Sequence, residues 1–226
     1  MNVITFASRK GGSGKSTLTA QLAAFAHKQG KRSLVIDADP QGSLTLWHAL
    51  RRDGKPPLEP AARGIDGPLA HAMVEGTEWV FIDTAPTMWV VVQEAIRAAT
   101  LVVIPARPGF FDLAAVTETV AIARERNKPY AVVINAAPVK RDERDSPAVA
   151  LSRAQLERLA IPVWSGQISQ RAGHMASLAA GFSAGEVAPD SAAGQEVARL
   201  WSAVERSVAA IRGAHEGARE MHSRAA

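Results

Sequence analysis

The stretch ASRKGGSGKST, Ala7 to Thr17, constrains this chain more than any other. It follows a strand-like run, NVITF, and opens a helical pattern that closes at Gly30. Glycines placed between a strand and a helix let successive backbone N–H groups curl inward around an anion, at the positive end of the helix. Gly11, Gly12 and Gly14 supply that freedom. Lys15 is placed to reach terminal phosphates and the Ser16 hydroxyl to ligate Mg²⁺. The loop, Ser13 and Thr17 included, is therefore expected to cradle the phosphates of a nucleotide. Lys10 is left over: it is a second lysine where most phosphate loops need none.

Beyond the loop, short apolar runs alternate with longer helical patterns. SLVID, EWVFID, TLVVIPA and YAVVINAAP read as strands, with a last strand expected in IPVWSGQI. Helices are expected over Ser16 to Gln29, Ser43 to Arg52, Trp89 to Ala99, DLAAVTETVAIARER and VALSRAQLERLA. DGKPPLEPAARGIDGP is rich in Pro and Gly and reads as loop. The strands are continuous apolar runs, which marks a sheet covered on both faces. Strand–helix alternation makes it parallel, with right-handed crossovers. The expected fold is α/β, a three-layer, doubly wound, mostly parallel sheet. From Ala192 to Arg212, the residues Val197, Leu200, Trp201, Val204, Val208 and Ile211 form one stripe, the width of a helix face packed on the sheet. One domain is expected over 1–213, followed by a polar, flexible tail over 214–226.

The chain has 226 residues, enough for one well-buried domain and short for two. It has no cysteine, which excludes a disulfide framework and a thiolate metal site and suits a reducing cytoplasm. No apolar run approaches the ~20 residues of a membrane span, and the N-terminal run lacks the charged region and cleavage site of a signal peptide. The formal charge of +4 permits a nucleic-acid partner without demanding one. From Lys140 onward, eleven Lys and Arg face ten Asp and Glu, so any basic surface has to be assembled by folding.

Ligands of an open parallel sheet bind at the carboxyl ends of its strands. Asp37 and Asp39 end the second strand, in VIDADPQG, and Asp83 ends the third, in WVFIDTAP. An Asp after a strand commonly caps the next helix. Three of them beside a phosphate loop read more economically as positioners of Mg²⁺ and water.

KGGSGKS, DADPQGS, FIDTAP and VVINAAP, in that order, resemble the ParA/MinD group of deviant-Walker ATPases. DPQGSLTLW is most similar to the small ParA proteins of plasmid and chromosome partition. The resemblance spans nearly the whole chain, including VIPARPGFFDL and QRAGHMASLAAGFSAGEVAPDSAAGQEVARLW. It implies ATP and Mg²⁺ as cofactors and a homodimer formed on ATP. It also implies a task for Lys10, the signature lysine that crosses the dimer interface to the phosphates of the other subunit, while Lys15 serves its own. By the same resemblance Asp39 orients the attacking water, Asp37 holds the magnesium's water shell, and Asp83 holds the magnesium through water. Asn135 matches an adenine-reading asparagine, a turn-forming Asn being its other reading. GQISQR, around Ile168, is expected to close over the base.

Nonspecific DNA, a cargo-bound ParB-like adaptor and a cytoplasmic, nucleoid-associated location are implied in the same way. Arg141, Arg144, Arg171 and Arg199 are the candidate DNA contacts, and Arg171 reads equally as half of a structural ion pair. With neither a preceding helix-turn-helix nor a MinD-like membrane helix, neither operator-specific binding nor a membrane partner is expected. Two other functions stand beside this one. The first is a positioning ATPase whose track or cargo is not DNA. The second is an ATP-dependent carboxylate-activating enzyme, similar to dethiobiotin and cobyrinate amide synthetases, which usually lack the K-G-G lysine.

Overall fold

A computed structural model describes the backbone of residues 1–61 and 63–224. In chain order the elements are β1 (Asn2–Phe6), α1 (Lys15–Lys28), β2 (Ser33–Ala38), α2 (Ser43–Ala49), β3 (Leu58–Pro60), α3 (Asp66–Val74), β4 (Trp79–Thr84) and α4 (Trp89–Ala98). Then follow β5 (Leu101–Ala106), α5 (Phe110–Glu125), β6 (Tyr130–Ile134), α6 (Pro147–Arg158), α7 (Ala172–Ala179), α8 (Ala184–Val187) and α9 (Ala192–Arg224). The strands form one sheet in the order β3-β2-β4-β1-β5-β6. Every pairing is parallel.

Both faces of the sheet are covered, which is why its strands are apolar at consecutive positions. One face sends Ile4, Phe6, Val35, Phe81 and Val103 into a core shared with α1 and α9. The other sends Val102, Ile104, Val132 and Ile134 against α4, α5 and α6, and Val3, Ile36, Val80 and Ile82 against α3 and α4. The stripe of α9 lies on the first face as expected: Val197, Leu200, Trp201, Val204 and Val208 are buried. Trp201 meets Trp79 edge-on, with ring centroids 4.7 Å apart. Truncating such an anchor to Ala costs about 3–5 kcal/mol.

Four sequence expectations change. The Pro/Gly-rich loop contains β3, which pairs with β2 at the sheet's edge, where a proline is tolerated. The same stretch runs on into α3. IPVWSGQI does not make a seventh strand. It bridges β6 at Val132↔Val163, bonds it again from Ile168 N to the Ile134 carbonyl at 2.9 Å, and pairs beyond it at Ala137↔Ser169. Between them the carbonyls of Trp164 and Gly166 turn aside to the Arg153 guanidinium, at 2.7 and 2.6 Å. Finally, α9 does not stop at Arg212 but continues to Arg224, through residues such as Ala, Glu and Arg that favour helix. Residues 225 and 226 of the expected tail lie outside the described residues.

Candidate functional site

The carboxyl end of β1 is the centre of the site. Phe6 stands level with Asp83 of β4, and Asp83 with Asp37 of β2. The Thr84 hydroxyl donates to the Phe6 carbonyl at 2.8 Å and fastens β4 to the start of the loop. From there the chain curls through Gly12 and Gly14, both at positive φ, into the N-terminus of α1. Gly14 has a second reason to be glycine: a Cβ there would fall 1.9 Å from Asn135 Nδ2. Arg9 stands where the general pattern G-x-x-x-x-G-K-[ST] has its first glycine. It needs no glycine, because its side chain lies outside the cradle, 4.0 Å over the Trp89 ring and 3.1 Å from Glu118.

The loop opens into a cleft of about 580 Å³. Gly11, Gly12, Gly14, Lys15, Ser16 and Thr17 line its phosphate side, with Asp39 from the end of β2. Asn135, Ala136, Ile168, Ser169, Gln170, Arg171, His174 and Met175 line the opposite end, beyond β6. A nucleotide laid across the tip of β1 would thus have its terminal phosphate toward β2 and β4 and its base toward β6.

Charge at the phosphate end is poorly compensated. Asp83 is fully buried, and neither carboxylate oxygen has a hydrogen-bond partner. Burial raises its pKa to about 7; the nearby Ser16 hydroxyl and Lys15 pull it down, and Asp37 and Asp39 push it up. Lys15 is buried as well, and desolvation lowers its pKa against the pull of Asp83 and Asp39. Among the described residues its ammonium reaches only the Lys10 carbonyl, at 3.4 Å. Orphaned groups of both signs around a glycine cradle fit a Mg²⁺–polyphosphate. Among the described residues no three His, Cys, Asp or Glu side chains cluster as a metal cage.

The structure separates the three aspartates. Asp37 Oδ2 accepts from Thr45 N at 2.9 Å and Thr45 Oγ1 at 2.8 Å, and Oδ1 accepts from Asp39 N at 3.3 Å. Its carboxylate anchors the first turn of α2, the helix-capping role. Asp39 is half-buried, lines the cleft, and accepts from Gln41 N at 2.9 Å. Ser16, Asp39 and Asp83, with Asp37 beside them, are the groups that could hold a metal and its waters.

Lys10 is not among the residues that line the cleft. Its ammonium pairs with the buried Asp112 in the first turn of α5, and Asp112 Oδ1 also accepts from Arg107 N at 3.1 Å. Asn135 is buried and donates Nδ2 to the Ser13 carbonyl at 2.8 Å, which leaves Oδ1 as an acceptor at the base end. Arg171 is not spread on a surface with the other candidate arginines: its Nε bonds Glu196 Oε1 at 3.0 Å on the cleft wall. Arg141 and Arg144 are exposed across a hairpin bridge, with Asp142 and Glu143 at its tip. Arg199 is exposed on α9, separate from them. Sequence reasoning missed Arg107, His174 and Met175 in the lining. Only the ordered run after Ile168 hinted at the last two.

Fold and cleft define a P-loop nucleotide-binding protein. Residues 4–182 match the CobQ/CobB/MinD/ParA nucleotide binding domain, and the chain belongs to that ParA/MinD-type ATPase family. The chain is 30% identical over 155 residues to the chromosome-partitioning ATPase Soj of Thermus thermophilus, which covers 54% of this chain and 61% of Soj. It is 24% identical over 184 residues to maintenance of carboxysome distribution protein A of Halothiobacillus neapolitanus, covering 80% and 85%. Apo McdA from Cyanothece has the same fold, with a TM-score of 0.71 over 92% of this chain and 99% of McdA at 19% identity. Among the described residues no helix is long and apolar enough to cross a membrane.

Proposed function

We propose that the chain is a ParA-like positioning ATPase. ATP and Mg²⁺ bind in the cleft, two copies close on each other, and the dimer holds nonspecific DNA while a cargo-bound adaptor stimulates hydrolysis. The pairing of Lys10 is the observation that carries this reading. A lysine that neutralised its own chain's phosphates would be expected in the cleft lining, whereas Lys10 is not among the residues that line the cleft and its ammonium is paired with the buried Asp112. Released from Asp112, it is free to supply charge to a nucleotide held by a second copy. Phosphoryl transfer needs such neutralisation more than covalent help.

The remaining roles follow from position. Lys15 and the loop N–H groups hold the β- and γ-phosphates, Ser16 and Asp83 hold Mg²⁺ and its water, and Asp39 orients the attacking water. The bound metal would neutralise charge on the transferred phosphate. Arg141, Arg144 and Arg199 are the exposed candidates for DNA phosphates, while Arg171 is already compensated by Glu196. The likeness to carboxysome distribution proteins over 80% of the chain supports a second cargo, a protein assembly instead of DNA. The carboxylate-activating reading is disfavoured by the K-G-G lysine.

Binding to a random DNA duplex without nucleotide, with ADP and with ATP–Mg²⁺, at two salt concentrations, tests the track. Salt-sensitive binding with ATP–Mg²⁺ alone is expected. Equal binding in all three states, or none, would contradict it. Hydrolysis stimulated by a small carboxylic acid without DNA would restore the enzyme reading.

A further inference from the structure

One cation in the cleft stands without a counter-charge. Lys15, Arg107, Arg171 and His174 are the lining residues that carry, or can carry, positive charge. Lys15 lies in the field of Asp83 and Asp39. Arg171 and His174 both bond Glu196, at 3.0 and 3.2 Å. Among the described residues Arg107 has no carboxylate partner, and its guanidinium makes no hydrogen bond; the residue is exposed. Its backbone, by contrast, is held. Arg107 N donates at 3.1 Å to Oδ1 of Asp112, a residue 5% exposed whose other carboxylate oxygen takes the Lys10 ammonium. Pro108 follows and disfavours helical backbone at Arg107. A fixed base under a long, unpaired side chain suits anion capture, because little beyond that side chain's own freedom is lost on binding.

Place in the sheet decides which anion. Arg107 follows Ala106, the last residue of β5. β5 lies between β1, which leads into the glycine loop, and β6, which is followed by Asn135. On the other side of β1, toward β4 and β2, stand Asp83 and Asp39, where the terminal phosphate and metal belong. The tip of β5 therefore lies under the stretch between the terminal phosphate and the base, which in a nucleotide is the α-phosphate. We propose that Arg107 binds the α-phosphate of the nucleotide held by its own chain. The proposal rests on the ATP-binding reading above. It divides the two cations that Asp112 touches: Lys10 is held by its ammonium and is released to a second copy, whereas Arg107 is held by its backbone and serves the nucleotide at home. A guanidinium suits the task, since its paired N–H groups match two phosphate oxygens in charge-assisted hydrogen bonds. ATP and ADP share the α-phosphate, so the contact binds both equally and outlasts hydrolysis; it anchors the nucleotide without discriminating between the two.

The test is calorimetric binding of Mg–ATP and Mg–ADP to the full chain and to Arg107→Gln and Arg107→Lys. The side chain is exposed and unpaired, so neither substitution should disturb folding. Arg107→Gln should weaken both nucleotides about tenfold. Arg107→Lys should restore most of that loss, because the positive charge is kept. The gap between the unaltered chain and Arg107→Gln should shrink in about 1 M salt, where the Debye length falls to about 3 Å. A loss for ATP alone would put Arg107 at the γ-phosphate or on the nucleotide of a second copy, and would overturn the assignment. A loss that lysine does not restore and salt does not shrink would make Arg107 a structural residue, and no loss would make it a solvated surface charge; either result overturns the inference. Failure of the unaltered chain to bind either nucleotide would overturn the ATP reading as well, whereas binding that ignores Arg107 overturns this inference alone.

Discussion

Two buried carboxylates at opposite ends of one cleft are treated in opposite ways. Asp83, at the end of β4, has no hydrogen-bond partner, and burial lifts its pKa to about 7. Glu196, on α9, is nearly as buried, but three donors outweigh its desolvation and hold it at about 2. The phosphate end is left electrostatically unfinished, to be completed by a metal and an anion. The base end is finished in advance by the chain itself. A fold can thus be rigid where it reads shape and deliberately unsatisfied where it takes up charge.

The contrast can be broken at either end. The largest effect is expected at Asp83. Its folded pKa is raised above the usual 3.8, so the folded chain without nucleotide binds more protons than the unfolded chain between pH 3.8 and about 7, and stability falls as pH rises through that window. The difference amounts to about 4 kcal/mol at most. Denaturant titrations should show Asp83→Asn losing this slope and standing above the unaltered chain at pH 8; an unchanged slope would mean that Asp83 is not the strained group. Next comes Lys15→Ala, which removes the buried cation of the phosphate end. Mg–ATP binding should weaken about a hundredfold in calorimetry, and a loss of only twofold would count against the loop as the anchor.

Glu196 should behave in the opposite sense to Asp83. Its folded pKa is depressed below 4.5, so its stabilisation is present above that pH and is lost as pH falls from 4.5 toward about 2. Acid titration of Glu196→Gln should lack about 3 kcal/mol of that dependence. The smallest effect concerns Asp112, the resting partner of Lys10. Asp112→Asn should raise ATP-dependent dimer formation about threefold, the scale of a partly exposed ion pair, as read by sedimentation. The increase should vanish in a Lys10→Ala background, and if it persists there, Asp112 is not the partner that matters.

Much of the phosphate end was legible in the sequence, because its parts are local. Strand, glycine loop and helix are contiguous from Asn2 to Lys28, and aspartates at strand ends must gather where parallel strands end. The fate of Asp37 was not legible: its hydrogen bonds to Thr45 depend on where α2 turns back. The base end was hidden for the same reason on a larger scale. Ser169, Arg171 and His174 meet Glu196 only because α9 returns across the sheet, so nothing in the local pattern marks that glutamate as more than a helix residue. IPVWSGQI has the composition of a strand, and what diverts it is Arg153, on a helix that precedes it. For Arg171 the ion pair was one of its two sequence readings, but only the fold reveals Glu196 as the partner.

The central claim is that Lys10 works on the nucleotide of a second copy, and mixing two inactive variants tests it most directly. Lys10→Ala keeps its own Asp39 but lacks the donated lysine; Asp39→Ala keeps Lys10 but cannot orient water. Each alone should hydrolyse ATP barely above background. In a mixed dimer the Lys10→Ala subunit receives Lys10 from its partner, so the mixture should regain a substantial fraction of unaltered activity. A mixture as inactive as its components, or full activity in Lys10→Ala by itself, would contradict the account.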